Sequence, residues 1–288
     1  MTSVGAVVLT QGSRPDDLDR ALRSLLAQRD VTLDVVVVGN GWCPTGLPAG
    51  VTKTVALEHN VGIPAGRNAG VPRVDGELLL FLDDDALLVD EEFLAEVAAR
   101  FAGDPRLGMV QPRVDVRGGG VAPRRWTPRR IVGDRTRSSD VLSVWEGAVV
   151  LRREVFDRTG GWPAPFFYAH EGVELAWRVW EAGFRVRYVG DLAVEHPYVV
   201  RSRHCDHLRL DARNRVWLAR RNLPRVAGVG YVGAWTVLQL LRLGRRPAQL
   251  REWLRGWVEG WRTDPGERRP LRYRTLLAMS APARVLAR

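Results

Sequence analysis

Apolar runs alternate with amphipathic stretches along the first 200 residues. VGAVVLT at 4–10 is a short apolar run, and after Pro15 the stretch DDLDRALRSLLAQ places Leu18, Leu22, Leu25 and Leu26 at helical spacing. A strand followed by a helix is predicted. DVVVVGN at 34–40 and TKTVALE at 52–58 read as strands, the first nearly all apolar, as a strand buried on both faces is. AGRNAGV opens a short helix, and ELLLFL at 77–82 is another buried strand. EEFLAEVAARF predicts a helix with acids in its first turn, where the macrodipole favours them, and LGMVQPRVDV returns to a strand. VWEGAVVLRREVF gives strand then helix, GVELAWRVWEAGF at 172–184 a helix stopped near Gly183, and FRVRYVGDLAVEHP ends in strand-like segments and a histidine. This alternation predicts an α/β fold, a doubly wound and mostly parallel sheet with helices on both faces. Such sheets bind ligands at the carboxyl ends of their strands.

Two stretches break the pattern. Residues 117–140 carry Gly, Pro and Arg without a period and are expected to form a long mobile loop, a lid or binding loop. Beyond residue 200 the spacing is helical, in DHLRLDARNRVWLARRNLP, VGYVGAWTVLQLLRLG, PAQLREWLRGWVEGWR and LRYRTLLAMSAPARVL. The charge-free run 226–241 lies between Arg225 and Arg242 and is shorter than the ~20 residues that cross a bilayer. A simple transmembrane span is therefore not expected there. Trp235, Trp253, Trp257 and Trp261 among arginines suit either ordinary helix packing or an interfacial membrane role.

Charge sharpens this division. Residues 201–288 contain 20 Arg against six Asp and Glu, although the whole chain of 288 residues carries a net charge of only +10. The expected organisation is thus a domain over 1–200 and a basic, Trp-containing helical extension over 201–288. The extension's partner would be a polyanion, or it is a solvated face with none. Hydrophobic content of 45% and charged content of 26% exclude a disordered chain. Cys43 and Cys205 lack the spacing of a disulfide framework or zinc site, and MTSVGAVVLTQGSRP lacks the basic start of a signal peptide. A cytoplasmic setting is expected.

The candidate chemistry centres on LLLFLDDDALL at 78–88. Carboxylates just past a buried strand end are costly unless a cation neutralises them, and a divalent Mg²⁺ or Mn²⁺ takes oxygen ligands of this kind. Because neighbours alternate along an extended chain, Asp83 and Asp85 are expected on one side and Asp84 opposite, as the spare.

The order VVLTQGSRPDDLDRALRSLLAQ, VVVVGNG, EHNVGIPAGRNAGV, LLLFLDDDALL, WEGAVVLRREVFDRTGGW and FFYAHEGVELAWRVWEAGFRVRYVGDLAVEHP resembles family 2 glycosyltransferases of the GT-A fold across residues 4–197. One Lys against 42 Arg suits an actinobacterial member. The resemblance implies an enzyme that moves a sugar from a nucleotide diphosphate donor to an acceptor hydroxyl, inverting the anomeric carbon, with Mn²⁺ or Mg²⁺. It implies that Asp85 binds the metal, that Asp83 contacts ribose or sugar, and that His196 lies near the metal. It places Asn60, Arg67 and Asn68 beside nucleotide and sugar and Thr10 along the nucleotide. Trp145, Glu146 and the turn 160–162 with Trp162 would line the acceptor side.

Two departures stand out. Gly39 replaces an aspartate common at the second strand's end, and Gly172 replaces the aspartate that serves as general base. Glu171, at the predicted helix start, is the candidate base, with His170 the runner-up and Glu174 expected to pair with Arg178. The acceptor would be a carbohydrate, a lipid-linked sugar or a small molecule; an anionic membrane surface is a possible partner and nucleic acid is not expected. The competing function is a glycosyltransferase-like binding protein that has lost transfer together with the aspartate.

Overall fold

The computed structural model describes residues 1–129, 131–198 and 206–280. The expected boundary near residue 200 and Cys205 lie outside the described residues; Cys43 is a free, exposed thiol. The chain runs through β1 (Thr2–Thr10), α1 (Pro15–Leu26), β2 (Val31–Asn40), β3 (Lys53–Leu57), α2 (Ile63–Gly70) and β4 (Leu78–Asp83). β1 pairs in parallel with both β2 and β4, and β2 with β3, as their apolar runs predict. The register sets Leu9 beside Asp83 and Thr10 beside Gly39, so three strands end together at one edge.

The remaining sheet follows through β5 (Leu87–Leu88), α3 (Phe93–Gly103), β6 (Leu107–Val116), β7 (Ser139–Asp140), β8 (Ala148–Arg152), α4 (Arg153–Thr159), α5 (Glu171–Glu181) and β9 (Arg185–His196). The order is β3-β2-β1-β4-β8-β6-β9-β5, with β7 also on β9. β6 and β9 are parallel, but β8 runs antiparallel between β4 and β6, so the sheet is mixed rather than purely doubly wound. That reversal matters. With Leu82 opposite Ala148, the residues entering β8 meet the carboxyl end of β4.

Strand alternation divides the core in two. Val7, Val36, Val38, Leu79 and Phe81 face one side with Leu175 and Val179 of α5, while Val4, Val8, Val37, Leu80 and Leu82 face Leu18 and Leu22 of α1 and Val97 of α3. The segment between β6 and β7 has no regular period, but it is pinned rather than loose at its centre. Trp126 is buried at 1% exposure, its carbonyl accepts from Gln111 Nε2 at 2.9 Å, and Tyr188 donates to the Arg135 carbonyl at 2.8 Å.

Among the described residues four helices follow: α6 (His207–Asn222), α7 (Arg225–Leu243), α8 (Pro247–Arg262) and α9 (Tyr273–Ser280). Val216, Trp217, Leu218 and Ala219 of α6 join the cluster that holds α5, together with Val232 of α7 and Met279 of α9. α7 is longer than its charge-free run because Arg225 and Arg242 are part of the helix, which spans 19 residues. By length and composition alone it is long and apolar enough to cross a membrane. Val226, Val229, Val237, Leu240 and Leu241 are exposed along it.

α8 crosses α6 through glycine. A Cβ on Gly256 would lie 1.9 Å from the Arg209 carbonyl oxygen, which is backbone and cannot swing away. Gly256→Ala should therefore cost about 1–3 kcal/mol, a drop of roughly 2–4 °C in melting temperature for each kcal/mol. Gly230→Ala, where an added Cβ meets nothing within 4 Å, should leave it unchanged or higher in the same thermal scan.

Candidate active site

β4 ends at Asp83 and the chain turns at once, with Ala86 N–H donating to the Asp83 carbonyl at 3.1 Å. Asp83 and Asp85 still bring a ligand atom each to one point, as the alternation predicts, while Asp84 is not part of that group. Asp84, expected as the spare, lies outside the set that Asp83 and Asp85 form with His196, but it has partners of its own. It is buried at 4% exposure, accepts from the Thr10 hydroxyl at 2.6 Å and pairs with Arg14. Burial raises its pKa to about 6, even though Arg14 and Thr10 pull the other way. Thr10, expected along the nucleotide, thus has its hydroxyl committed to Asp84, where it ties the end of β1 to the turn.

Asp83, Asp85 and His196 converge from β4, its turn and the end of β9. One ligand atom from each lies within 4.8 Å of the others. His196 Nε2 is 2.9 Å from Asp85 Oδ1, and its Nδ1 is 2.7 Å from the Pro197 carbonyl. Donation from Nδ1 to that carbonyl leaves Nε2 as the ligating nitrogen, the orientation in which histidine meets a metal. Two carboxylates and an oriented imidazole therefore fit a divalent cation such as Mn²⁺ or Mg²⁺. Burial alone would raise Asp85, but His196 and Arg14 outweigh it and hold the carboxyl below its ordinary range. Burial works against His196 too, and Asp85 reverses it, raising the imidazole. Trp126 and Trp145 stand edge-on to the His196 ring at centroid distances of 5.3 and 5.0 Å. Neither Trp126 nor Arg14 carries a local signal: one sits in a stretch without period, and the other meets its partners across about 70 residues.

Arg67 of α2 is buried at 1% exposure, donates to Asp83 at 2.7 Å and lies over the Trp162 ring at 4.9 Å. Its Nε and Nη1 have no hydrogen-bond partner among the described residues. Asn68 clamps the backbone of Trp162, donating to its carbonyl at 2.8 Å and accepting its N–H at 3.0 Å, so its amide faces protein. Trp162 is itself buried, while Trp145 is half-buried. Asn60 is exposed and accepts from Gly62 N–H and from Asn40 Nδ2, both at 2.9 Å. Buried Asn40, unremarked in the sequence, fixes this turn by also accepting the Val61 N–H. Gly39 has a steric reason: a Cβ there would lie 1.9 Å from the Trp42 carbonyl oxygen, so no aspartate fits.

The turn into α5 is strained. Phe167, Ala169 and His170 all have positive φ, between 64° and 73°, in the region that favours glycine. Asn214 of α6, fully buried, holds it by donating from Nδ2 to the carbonyls of Phe166, Tyr168 and Ala169 at 2.8, 2.7 and 2.9 Å. His170 Nε2 lies 3.1 Å from Asp211 of α6. Glu174 takes Arg221 of α6 at 2.8 Å as its main partner, with Arg178, the expected one, at 3.8 Å. Glu171 begins α5 as predicted but is sealed at 3% exposure, and its Oε2 has no hydrogen-bond partner among the described residues. Glu146, from the lead-in to β8, accepts the Gly172 N–H at 3.0 Å and is half-buried. Burial first, then the charge of Glu146, lifts Glu171 to about 8, and burial lifts Glu146 as well.

A family model described as Glycosyl transferase family 2 matches residues 6–160. The chain is 30% identical over 207 residues to the O-antigen biosynthesis protein RfbC of Myxococcus xanthus, covering 63% of this chain and 16% of that protein. It thus spans only a small part of that curated relative's length. Among solved structures it resembles S. aureus TarS 1-349 in complex with UDP-GlcNAc, with a TM-score of 0.64, 15% identity and coverage of 97% of this chain and 84% of that one. It also resembles the mannosyltransferase PcManGT from Pyrobaculum calidifontis in complex with GDP-Man and Mn²⁺, with a TM-score of 0.57, 17% identity and coverage of 90% and 87%. At these identities the likeness is one of fold, the expected GT-A arrangement.

The raised Glu171 acid predicts a pH dependence. Between the ordinary glutamate value and about 8 the folded chain binds the extra proton, so stability is highest at the acid end and falls as pH rises through that window. Glu171→Gln should remove the fall. Its melting temperature should exceed that of the wild type at pH 8.5 and match it near pH 5; equal shifts at both pH values would disprove the assignment.

Proposed function

The chain belongs to glycosyl transferase family 2; on that premise we propose that it is an enzyme that inverts the anomeric carbon of a nucleotide diphosphate sugar while passing the sugar to an acceptor hydroxyl. The observation that carries this reading is the convergence of Asp83, Asp85 and His196 at the carboxyl end of β4. The fold relatives solved with UDP-GlcNAc and with GDP-Man and Mn²⁺ support the same donor class and a divalent metal here. When bound, Mn²⁺ or Mg²⁺ offsets the charge that develops on the departing diphosphate. Asp85 and His196 would hold it, with Asp83 reaching the same point and the ribose or sugar. Arg67 offers unpaired buried nitrogens beside Asp83, donors suited to a phosphate or sugar oxygen. Asn60 lies at the exposed turn where the donor would rest, and Asn68 and Thr10 act through the backbone and carboxylate they hold. Trp145 and Trp162 would shape the acceptor side, since aromatic faces suit sugar rings. The base that takes the acceptor proton would be one of the two carboxylates that meet at the start of α5, Glu171 of the helix itself or Glu146 from the lead-in to β8.

The acceptor in this reading is a carbohydrate, a lipid-linked sugar or a small molecule, a range in keeping with the O-antigen relative. The exposed apolar stripe of α7, with Arg242, Arg245 and Arg246 at its end, suits peripheral contact with an anionic membrane at its cytoplasmic face. Binding to vesicles containing phosphatidylglycerol should then weaken steeply with salt, while neutral vesicles and duplex DNA should bind poorly.

Asp85→Ala should abolish the Mn²⁺-dependent rise in melting temperature produced by UDP-GlcNAc or GDP-Man, because a ligand that binds only the folded state stabilises it. An undiminished rise would remove Asp85 from the metal.

A further inference from the structure

We infer that Glu146 is the general base of the transfer, its carboxylate standing in the volume that the family's aspartate side chain at position 172 would occupy. This rests on the glycosyltransferase reading above. A Cβ placed on Gly172 would lie 2.5 Å from Glu146 Oε1, 2.7 Å from its Cγ and 2.8 Å from its Cδ. Real Cβ atoms essentially never show such contacts, so a side chain at 172 would require the carboxylate of Glu146 to leave its present place. The acid has changed its place of attachment, from α5 to the lead-in of β8, while its position in space is kept.

Three features suit that carboxylate to the task. The Gly172 N–H donates to Oε1 at 3.0 Å, and the amino end of α5 favours a negative charge there. Its neighbours flank the metal-binding set: the Trp145 ring is 5.0 Å from that of His196, and the Gly147 carbonyl accepts the Asp83 N–H at 2.8 Å. Finally, Glu146 is half-buried where Glu171 is sealed at 3% exposure, so of the two it is the one an acceptor can approach. In the step, a lone pair of the acceptor oxygen forms the new bond to the anomeric carbon. The bond from that carbon to the diphosphate oxygen breaks, its electron pair leaving with the nucleoside diphosphate, and the acceptor proton passes to Glu146.

The test uses the full chain, UDP-GlcNAc and GDP-Man as donors, Mn²⁺, and water standing in for the acceptor hydroxyl, with excess enzyme so that a single release of diphosphate is read. Glu146→Gln should slow release by about 10²–10⁴-fold, the usual contribution of a positioned base, with the donor-induced rise in melting temperature unchanged. Glu146→Ala should behave alike, and adding Gly172→Asp to it should recover at least about tenfold of the lost rate, which a merely structural glutamate would not permit. Glu146→Gln turnover within threefold of the wild type, a larger loss in Glu171→Gln, or no recovery in the double variant overturns the assignment. A wild type that binds donor but never releases diphosphate also overturns it, leaving a binding protein. A wild type that binds neither donor overturns the glycosyltransferase reading itself.

Discussion

Three carboxylates crowded at the end of one buried strand repel one another and lose hydration together, so the surrounding chain has to supply positive charge. Asp83 takes Arg67 from α2, Asp84 takes Arg14 from the loop before α1, and Asp85 takes both Arg14 and His196. These partners come from three separate regions of the chain, and each is drawn to the same turn by the same need. The carboxyl edge of the sheet is therefore an electrostatic junction as much as a topological one. Even with this support Asp84 stays well above the ordinary aspartate range, which measures how far burial outweighs the available cations.

What was legible in the sequence follows from how far each signal reaches. Periodic apolar runs reported β1, β2, β4, α1, α3 and α5, because burial on one face or two is written into consecutive residues. Asp83, Asp85 and His196 were legible because their residue types at strand ends carry chemical meaning. Asp84 was rightly left outside the metal-capable set, but its buried partners Thr10 and Arg14 were not legible, because both lie at least 70 residues away. Glu174 was assigned a local partner by helix spacing, yet tertiary packing supplied a closer one in Arg221. Trp126, Arg14, Asn40 and Asn214 were invisible for a shared reason: their partners lie far away in sequence, and nothing in their own neighbourhoods announces them.

The antiparallel insertion of β8 has a similar standing. An alternation of strands and helices suggests parallel pairing, and it gives no sign that one strand will enter the sheet reversed. Yet that reversal delivers residues 145–147 to the end of β4 and so adds an aromatic ring and a carboxylate to an edge otherwise built from parallel strands. Gly39 and Gly172 mark the same kind of accommodation, since at each a neighbouring group already fills the space a longer side chain would claim.

The clamp formed by Asn214 bears on modularity. Three left-handed residues in one short turn hold a conformation that each would leave if released, at about 1–3 kcal/mol apiece, and the amide that restrains them belongs to the helical extension. The extension is thus no detachable accessory to the sheet. A chimera that kept the sheet and borrowed its helices from another protein would inherit a relaxed turn unless an amide reached the same three carbonyls. Recombination between relatives is constrained accordingly: α6 has to travel with the turn it restrains, and the helices after it share its core through Val232 and Met279.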